Sequence, residues 1–428
     1  MYSINMTLRA LYIDFNAYFA SVEQQLQPAW RGRPLAVVPM LTDTTCCIAA
    51  SYEARAFGIK TGTLVREARQ RCPDLVLVPA RPALYVQWHH KLVTLVESCV
   101  HVNQVRSIDE MWCALSGRDQ QRDRAVQLAQ SIKHTIAAGG GPYLRSSIGI
   151  APNVYLAKVA SNLQKPDGLS VIEQHDLPEV LYALKLRDLN GIGTRMEARL
   201  LACGIETVQQ LCAATPEQLR VAWRGIAGQL MYDRLRGKFD TPGNSQRSSV
   251  GHSHVLPPHL RHEPGAWAVA NRLLQKAAMR LRAYHLVSSR FCLTLKFRNR
   301  QGQRAGWSEE VALDATAETR SLLQALQLAW HRYPRLISGT RRSSQQDMQP
   351  FFVAVTLVQL SSAASCTRSL FDDNHGGRLD QALDHLNLKY GKGTIYFGAA
   401  HSALQAAPMR IAFSHIPDLD LEADQILD

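Results

Sequence analysis

The sequence lacks any uninterrupted apolar run of the roughly 18 residues that a bilayer-spanning helix needs, so no membrane partner is expected. It has no CxxC pair and no Cys/His spacing of the zinc type. Its nine cysteines form an odd, unpatterned set, which fits reduced thiols in a cytoplasm and not a disulfide scaffold. Adjacent Cys46 and Cys47 read as small buried residues. The opening MYSINMTLRALYIDF has no basic stretch followed by an apolar run and a cleavage site, so no secretory leader is expected. There is no internal repeat. Negative charge is also scarce: 48 Lys and Arg stand against 36 Asp and Glu, a net of +12, which points to a polyanionic partner, most commonly nucleic acid. What is present is a globular composition, 46% hydrophobic and 20% charged over 428 residues. That length is too great for one core and predicts three or four domains.

The basic excess is uneven. Residues 247–362 hold sixteen Lys and Arg against six Asp and Glu, whereas residues 363–428 hold five against nine. Strand-like and helical patterns alternate through residues 1–172, which predicts an α/β layer. Strands are expected at Arg9–Asp14, Gln104–Ile108, Met111–Leu115 and Arg145–Ile150. A helix over Arg122–Ala138 is expected to stop at the Gly139-Gly140-Gly141-Pro142 breaker, and one over Val154–Leu163 to be capped by Asn153. Residues 173–237 are mainly helical in pattern. Lys238–Ser249 is polar with Pro and Gly and reads as a linker. A second α/β pattern follows, coincident with the basic segment. Residues 363–428 read as less regular.

Five constellations carry chemistry. Asp14 ends an apolar strand and is followed by Phe15-Asn16-Ala17-Tyr18-Phe19; an acid at a strand end can bind a cation or simply cap a helix. Asp109 and Glu110 lie between two apolar strands. In a strand their side chains point to opposite faces, so a bend is required if both are to reach one ion. Three carboxylates would suit Mg2+, which takes hard oxygen ligands and leaves room for phosphate oxygens. Tyr52 and Arg55 are three apart, so a helical turn places phenol and guanidinium on one face, where they could clamp a phosphate or face solvent. Lys165 stands at a helix end before Pro166-Asp167-Gly168, where a lysine is ordinarily a dipole partner. Finally, Gly191-Ile192-Gly193, with Leu200, Leu201 and Gly204-Ile205 beyond, has the helix-hairpin-helix pattern, whose exposed backbone N–H groups can grip a DNA phosphate.

The motifs DFNAYFASVE, SYEARAFGIK, SIDE, SIGIAPN…LAKVAS…KPDG and the G-I-G hairpin follow one another in the order seen in Y-family (translesion) DNA polymerases of the DinB/UmuC group, which this sequence resembles over roughly residues 8–360. The resemblance implies an α/β multidomain right hand: a palm (1–25 and 80–172), fingers (26–79), a helical thumb carrying the hairpin (173–237), a linker (238–247), an α/β little finger (248–362) and a C-terminal tail (363–428). It implies a template-directed, low-fidelity DNA polymerase that extends primers past damaged bases. The alternatives are a catalytically inactive relative acting as a scaffold and a non-enzymatic DNA-binding protein. An inactive relative lacks the catalytic acids, which this chain retains. A mere DNA binder needs no acid triad beside a Tyr/Arg/Lys cluster.

Position by position, the resemblance implies that Asp14, Asp109 and Glu110, with the Phe15 carbonyl, bind two Mg2+ ions, for which Mn2+ could substitute. Phe19 matches the family's steric gate against a ribose 2′-OH, with Tyr18 beside it at the nucleotide. Tyr52, Arg55 and Lys165 match its triphosphate contacts. Gly191 and Gly193, with Arg298, Arg300, Arg341 and Arg342, are the expected DNA contacts. The implied partners are primer-template DNA and a dNTP, in a bacterial cytoplasm at the nucleoid. Ser369-Leu370-Phe371 resembles the end of a sliding-clamp peptide, although Thr367 and Arg368 replace its usual Gln and Leu. Two departures stand out: Asn16 where many relatives have Asp, and Ala49 where many have a Thr hydroxyl near the triphosphate.

Overall fold

The computed structural model describes residues 8–239, 247–333, 348–366, 375–408 and 416–419. Arg341, Arg342, the Ser369-Leu370-Phe371 peptide and most of the expected linker lie outside them. The chain divides into two compact units, Met1–Gly243 with Ala412–Ile416, and Asn244–Ile411 with Pro417–Asp428.

In the first unit, the run ALYIDF forms β1 (Ala10–Phe15), and all six residues are buried. A strand apolar on both faces belongs inside a covered sheet. Helix α1 (Tyr18–Leu26) begins almost at once. The reversal passes through Ala17, at φ 48°, a left-handed conformation that costs an L-residue about 1–2 kcal/mol. Next come β2 (Leu35–Val38), β3 (Ala49–Ala50), α2 (Tyr52–Ala56), α3 (Val65–Arg71) and β4 (Val76–Pro79). Their three-stranded sheet, in the order β3-β2-β4, has its own small core, in which Cys47 is fully buried. The chain continues through α4 (Pro82–Glu97), β5 (Gln104–Ser107), β6 (Glu110–Ala114), α5 (Arg122–Gly140), β7 (Ser146–Ala151), α6 (Val154–Leu163) and β8 (Leu169–Val171). These complete a five-stranded sheet in the order β5-β6-β1-β7-β8, with β1 at its centre.

Helix α5 stops inside the expected glycine breaker, two residues later than Ala138: its last residue is Gly140, and Gly141, at φ 105°, caps it. Gly139 and Gly140 also serve packing: a Cβ on Gly139 would lie 2.5 Å from the Leu95 side chain of α4. Helix α6 starts at its Asn153 cap as expected, with Asn153 Oδ1 accepting from the Leu156 N–H at 2.8 Å. It lies against β7 at Gly149, where a Cβ would fall 2.0 Å from the Ala157 carbonyl oxygen. Only glycine permits that approach, which brings the middle of α6 down onto the sheet. Helices α7 (Thr194–Ala202), α8 (Val208–Ala213), α9 (Pro216–Trp223) and α10 (Ile226–Leu235) follow. Thr207 with Gln210 and Thr215 with Gln218 form capping boxes at α8 and α9. Their apolar faces share one core with α6 and with Ala10 and Tyr12 of β1.

The second unit contains β9 (Ser249–Val255), α11 (Glu263–Ala283), β10 (Leu286–Arg298), β11 (Arg304–Thr316), α12 (Thr319–His331), β12 (Gln349–Ser362) and α13 (His375–Tyr390). The four strands form an antiparallel sheet in the order β11-β10-β12-β9. Phe291, Leu293, Leu295 and Phe297 alternate into a core shared with α11 and α12, leaving Thr294, Lys296 and Arg298 to the other face. Residues 375–408 depart from the irregular tail expected. They include the sixteen-residue α13, and Ala403, Ala406 and Ala407 join the core. Arg282 of α11 pairs with Asp380 and Asp384 of α13, and Asp380 accepts the first N–H of α12, from Thr319, at 2.8 Å. Local pattern missed this because the segment is stabilised by polar clasps to distant helices and not by a long apolar stripe.

Candidate active site

Strand register builds the acidic centre. Asp14 of β1 sits directly opposite Glu110 of β6, so their side chains project from the same face as neighbours. Ile108 and Asp109 form the turn between β5 and β6. The bend that two adjacent carboxylates require is therefore the turn itself, with Asp109 in it and Glu110 as the first residue after it. The turn is held from both sides. The Phe15 N–H donates to the Asp109 carbonyl at 2.9 Å, and the buried His89 of α4 donates its Nδ1–H to the Ile108 carbonyl at 2.8 Å. The Ser107 hydroxyl donates to Asp109 Oδ1 at 2.6 Å. Burial pushes the Asp109 carboxyl up to about 6; the Ser107 hydrogen bond opposes this, and the charges of Glu110 and Asp14 add to it.

Asp14, Asp109 and Glu110 line one cavity of about 300 Å³, together with Phe15, Tyr18, Phe19, Tyr52, Arg55 and Lys165. Residues from four separate stretches of sequence thus converge on one space. Lys165, expected at a phosphate, bonds Asp14 Oδ2 at 2.7 Å. Two contributors were not singled out from the sequence. Lys158 of α6 bonds Asp14 and lies 2.6 Å from Glu110 Oε1, and the Tyr12 hydroxyl donates to Glu110 Oε2 at 2.7 Å. Burial lowers the Lys158 pKa, but Asp14 and Glu110 outweigh it and hold the ammonium above its ordinary value. The available signal was a single charge within the otherwise uncharged VYLAKVASNL.

One wall is aromatic. The Phe19 ring stacks on Tyr85, with centroids 4.5 Å apart. The Tyr85 hydroxyl donates to Glu23 at 2.7 Å, and Glu23 also pairs with Arg81. Tyr18 borders the cavity, but its hydroxyl is committed to the Tyr85 carbonyl at 2.6 Å. On another wall, the Arg55 guanidinium lies 4.5 Å from the Tyr52 ring centre, as the spacing of three predicts. The Tyr52 phenol oxygen is buried beside that guanidinium. Ala49 lines the cavity, and so does Thr61, whose hydroxyl donates to the Ile48 carbonyl at 3.2 Å. Asn16 is structural: its amide oxygen accepts the Asp167 N–H at 2.7 Å, and its nitrogen donates to Ser147 at 3.0 Å.

The remaining candidates lie elsewhere. Gly191 (φ 88°) and Gly193 are exposed on either side of the buried Ile192, just before α7. Arg298 and Arg300 are exposed at the end of β10 and in the turn after it. Much of the basic excess in that unit is used internally. Arg272 and Lys276 bond the carbonyls of Ala406 and Ala407. Arg290 pairs with Glu310, and Arg332 with Glu309. Among the described residues, one three-residue group has all its potential metal-ligand atoms within 4.8 Å of one another: Glu173, His175 and Asp176. None of these lines the cavity. Asp14 and Glu110 are instead gathered around the Lys158 ammonium. Three hard oxygen-donor side chains on one cavity wall nonetheless fit a cation of the Mg2+ type.

Comparison with known proteins agrees with this geometry. The impB/mucB/samB family matches residues 13–162, and the C-terminal domain of the same family matches residues 247–364. DNA polymerase IV of Moorella thermoacetica is 32% identical over 399 residues, 90% of this chain and 94% of that protein. DNA polymerase IV 1 of Bacillus subtilis is 26% identical, over 91% of this chain and 92% of its own. Among solved structures, a Y-family DNA polymerase chimera of Dbh and Dpo4 superposes with a TM-score of 0.67 at 22% identity, over 83% of this chain and 99% of its own. An insertion ternary complex of Dbh DNA polymerase gives 0.57, also at 22% identity and over the same shares. With its acids paired across β1 and β6 and about nine-tenths of its length shared with a DNA polymerase IV at 32% identity, the chain belongs to the DinB/UmuC group of Y-family DNA polymerases and is a DNA-directed DNA polymerase.

Proposed function

We propose that this polymerase adds deoxynucleotides to a primer 3′-OH through the cavity around Asp14, in low-fidelity synthesis past damaged template bases. The observation that carries the reading is the register of Asp14 against Glu110 on a cavity shared with Phe19, Tyr52, Arg55 and Lys165. Asp14, Asp109 and Glu110, with the Phe15 carbonyl, hold two Mg2+ ions, for which Mn2+ substitutes. Bound there, the ions supply activation of the 3′-OH and charge balance for the leaving pyrophosphate. The chain's own residues do the positioning. Tyr52, Arg55 and Lys165, which line the cavity together, receive the triphosphate. The Phe19 ring, backed by Tyr85, excludes a ribose 2′-OH, and Tyr18 keeps that aromatic wall in place.

Primer-template DNA is gripped by backbone, not sequence. The Gly191–Gly193 hairpin offers N–H groups to phosphate, and Arg298, Arg300, Arg341 and Arg342 add charge. In this reading residues 1–25 and 80–172 are the palm, 26–79 the fingers, 173–237 the thumb and 248–362 the little finger. The Ser369-Leu370-Phe371 peptide engages a sliding clamp, and the protein works at the bacterial nucleoid. Among the described residues, no helix is long and apolar enough to cross a membrane.

Primer extension with Mg2+ and all four dNTPs tests the site. Asp109→Ala and Glu110→Ala should each abolish nucleotide addition while primer-template affinity stays within tenfold, about 1.4 kcal/mol. Extension that survives either change, or DNA binding lost beyond that limit, would refute the assignment.

A further inference from the structure

The two acids that strand register pairs, Asp14 and Glu110, already meet positive charge from the chain itself. Asp14 is 5% exposed, a burial that an uncompensated carboxylate tolerates poorly. Two lysines supply the compensation, in different ways. Lys165, beyond the end of α6, holds Asp14 alone. Lys158, from the middle of α6, spans both acids: its Nζ bonds Asp14 Oδ2 and lies 2.6 Å from Glu110 Oε1. The other Glu110 oxygen is taken by the Tyr12 hydroxyl, and the Lys158 ammonium lies 5.1 Å from the centre of that same ring. The Lys158 side chain is only 14% exposed, and it follows Ala157, where α6 closes on Gly149 of the sheet.

One ammonium therefore occupies the space between the two carboxylates that strand register pairs. A divalent cation using those oxygens meets a positive charge already bonded to them and must displace it. We infer that Lys158 is a positioning residue that stands in for the cation between Asp14 and Glu110, keeping the acids together in the metal-free protein and weakening metal binding by competition. This inference rests on the reading of Asp14 and Glu110 as cation ligands. It assigns Lys158 a role distinct from that of Lys165, because only Lys158 touches both acids.

The test uses the full chain without DNA or nucleotide and follows Mn2+ binding by the loss of the free-ion electron paramagnetic resonance signal. Lys158→Met and Lys158→Gln should each bind Mn2+ about tenfold more tightly than the unmodified protein. In EDTA both should melt at a lower temperature, because Asp14 loses one of its two counter-charges and Glu110 loses its bonded ammonium, and Mn2+ should raise their melting temperatures more than that of the unmodified protein. A purely structural lysine would lower melting without tightening metal binding. Unchanged or weaker Mn2+ affinity in either folded variant overturns the inference. If neither variant folds in EDTA, refolding on addition of Mn2+ supports it and failure to refold overturns it. Asp14→Asn separates the two readings. If Mn2+ binding survives that change, the cation site itself is misassigned; if it is abolished while the Lys158 variants behave like the unmodified protein, only the role of Lys158 fails.

Discussion

Lowering the pH from 7 to 5 should weaken the fold by about 2 kcal/mol through one side chain, His89. The imidazole is 2% exposed and donates from Nδ1 to the Ile108 carbonyl, beneath the turn that carries Asp109. Burial lowers its pKa to about 4; the carbonyl hydrogen bond opposes this and His90 adds to it. In the unfolded chain the same ring protonates near its ordinary value of about 6.5. Above that value neither state is charged and His89 carries no pH-dependent term. Between 6.5 and 4 the unfolded chain binds a proton that the folded one refuses, so stability falls. Below 4 both are protonated and the loss levels off near 3 kcal/mol, since the two pKa values differ by about 2.5. Unfolding free energies of the unmodified protein and His89→Gln, from urea titrations at pH 7 and 5, isolate this term, because every other titrating group is common to both. The drop on acidification should be smaller in the variant by about 2 kcal/mol. Parallel pH dependence in the two proteins would refute the reasoning, since it would mean that water reaches the ring beneath the turn.

Three further outcomes follow from the geometry. Phe19→Ala should admit ribonucleotides while keeping much of the deoxynucleotide activity, and unchanged sugar discrimination in single-nucleotide incorporation would refute the role of the ring. Replacing Arg298 and Arg300 together by Ala should remove two phosphate contacts and make the slope of log affinity against log salt shallower by about 2, read by fluorescence anisotropy with primer-template at several salt concentrations. Asp380→Ala should destabilise the second unit by about 2–3 kcal/mol, because it leaves the Thr319 N–H and part of the Arg282 charge unmatched in a buried place; thermal unfolding measures it.

The acids were legible because each stands where an apolar strand ends, and local pattern marks strand ends well. Asp14 at the close of ALYIDF and the Asp109-Glu110 pair between two apolar runs could be placed without long-range information, but the local pattern left their role open and only the family resemblance decided for a metal. Their partners were not legible in the same way. Tyr12 meets Glu110 across 98 residues, and Lys158 meets Asp14 across 144; both contacts depend on register and on a helix seated at a glycine, which no local period encodes. The glycine run at residues 139–141 marked the end of α5 to within two residues, and the small difference has a related reason. Gly139 and Gly140 read as a break, yet a neighbouring helix needs the space of their missing side chains and supplies packing that offsets their low propensity. Net charge pointed correctly to a basic second unit but overstated its outward face, because several of its arginines and lysines are bonded to backbone or acids within the same unit.

The clasp of residues 375–408 on α11 and α12 has a consequence for the order of synthesis. The core of the second unit opens with Val250 and closes with Ala403, Ala406 and Ala407, so more than 150 residues must be made before its last apolar contacts exist. At the usual rates of translation that interval is roughly 10–30 s. All strands of the five-stranded sheet, with Asp14, Asp109 and Glu110, have been made by Val171, and the helices that share its core by Leu235. The unit that carries the acidic cavity is thus synthesised well before the basic unit can close.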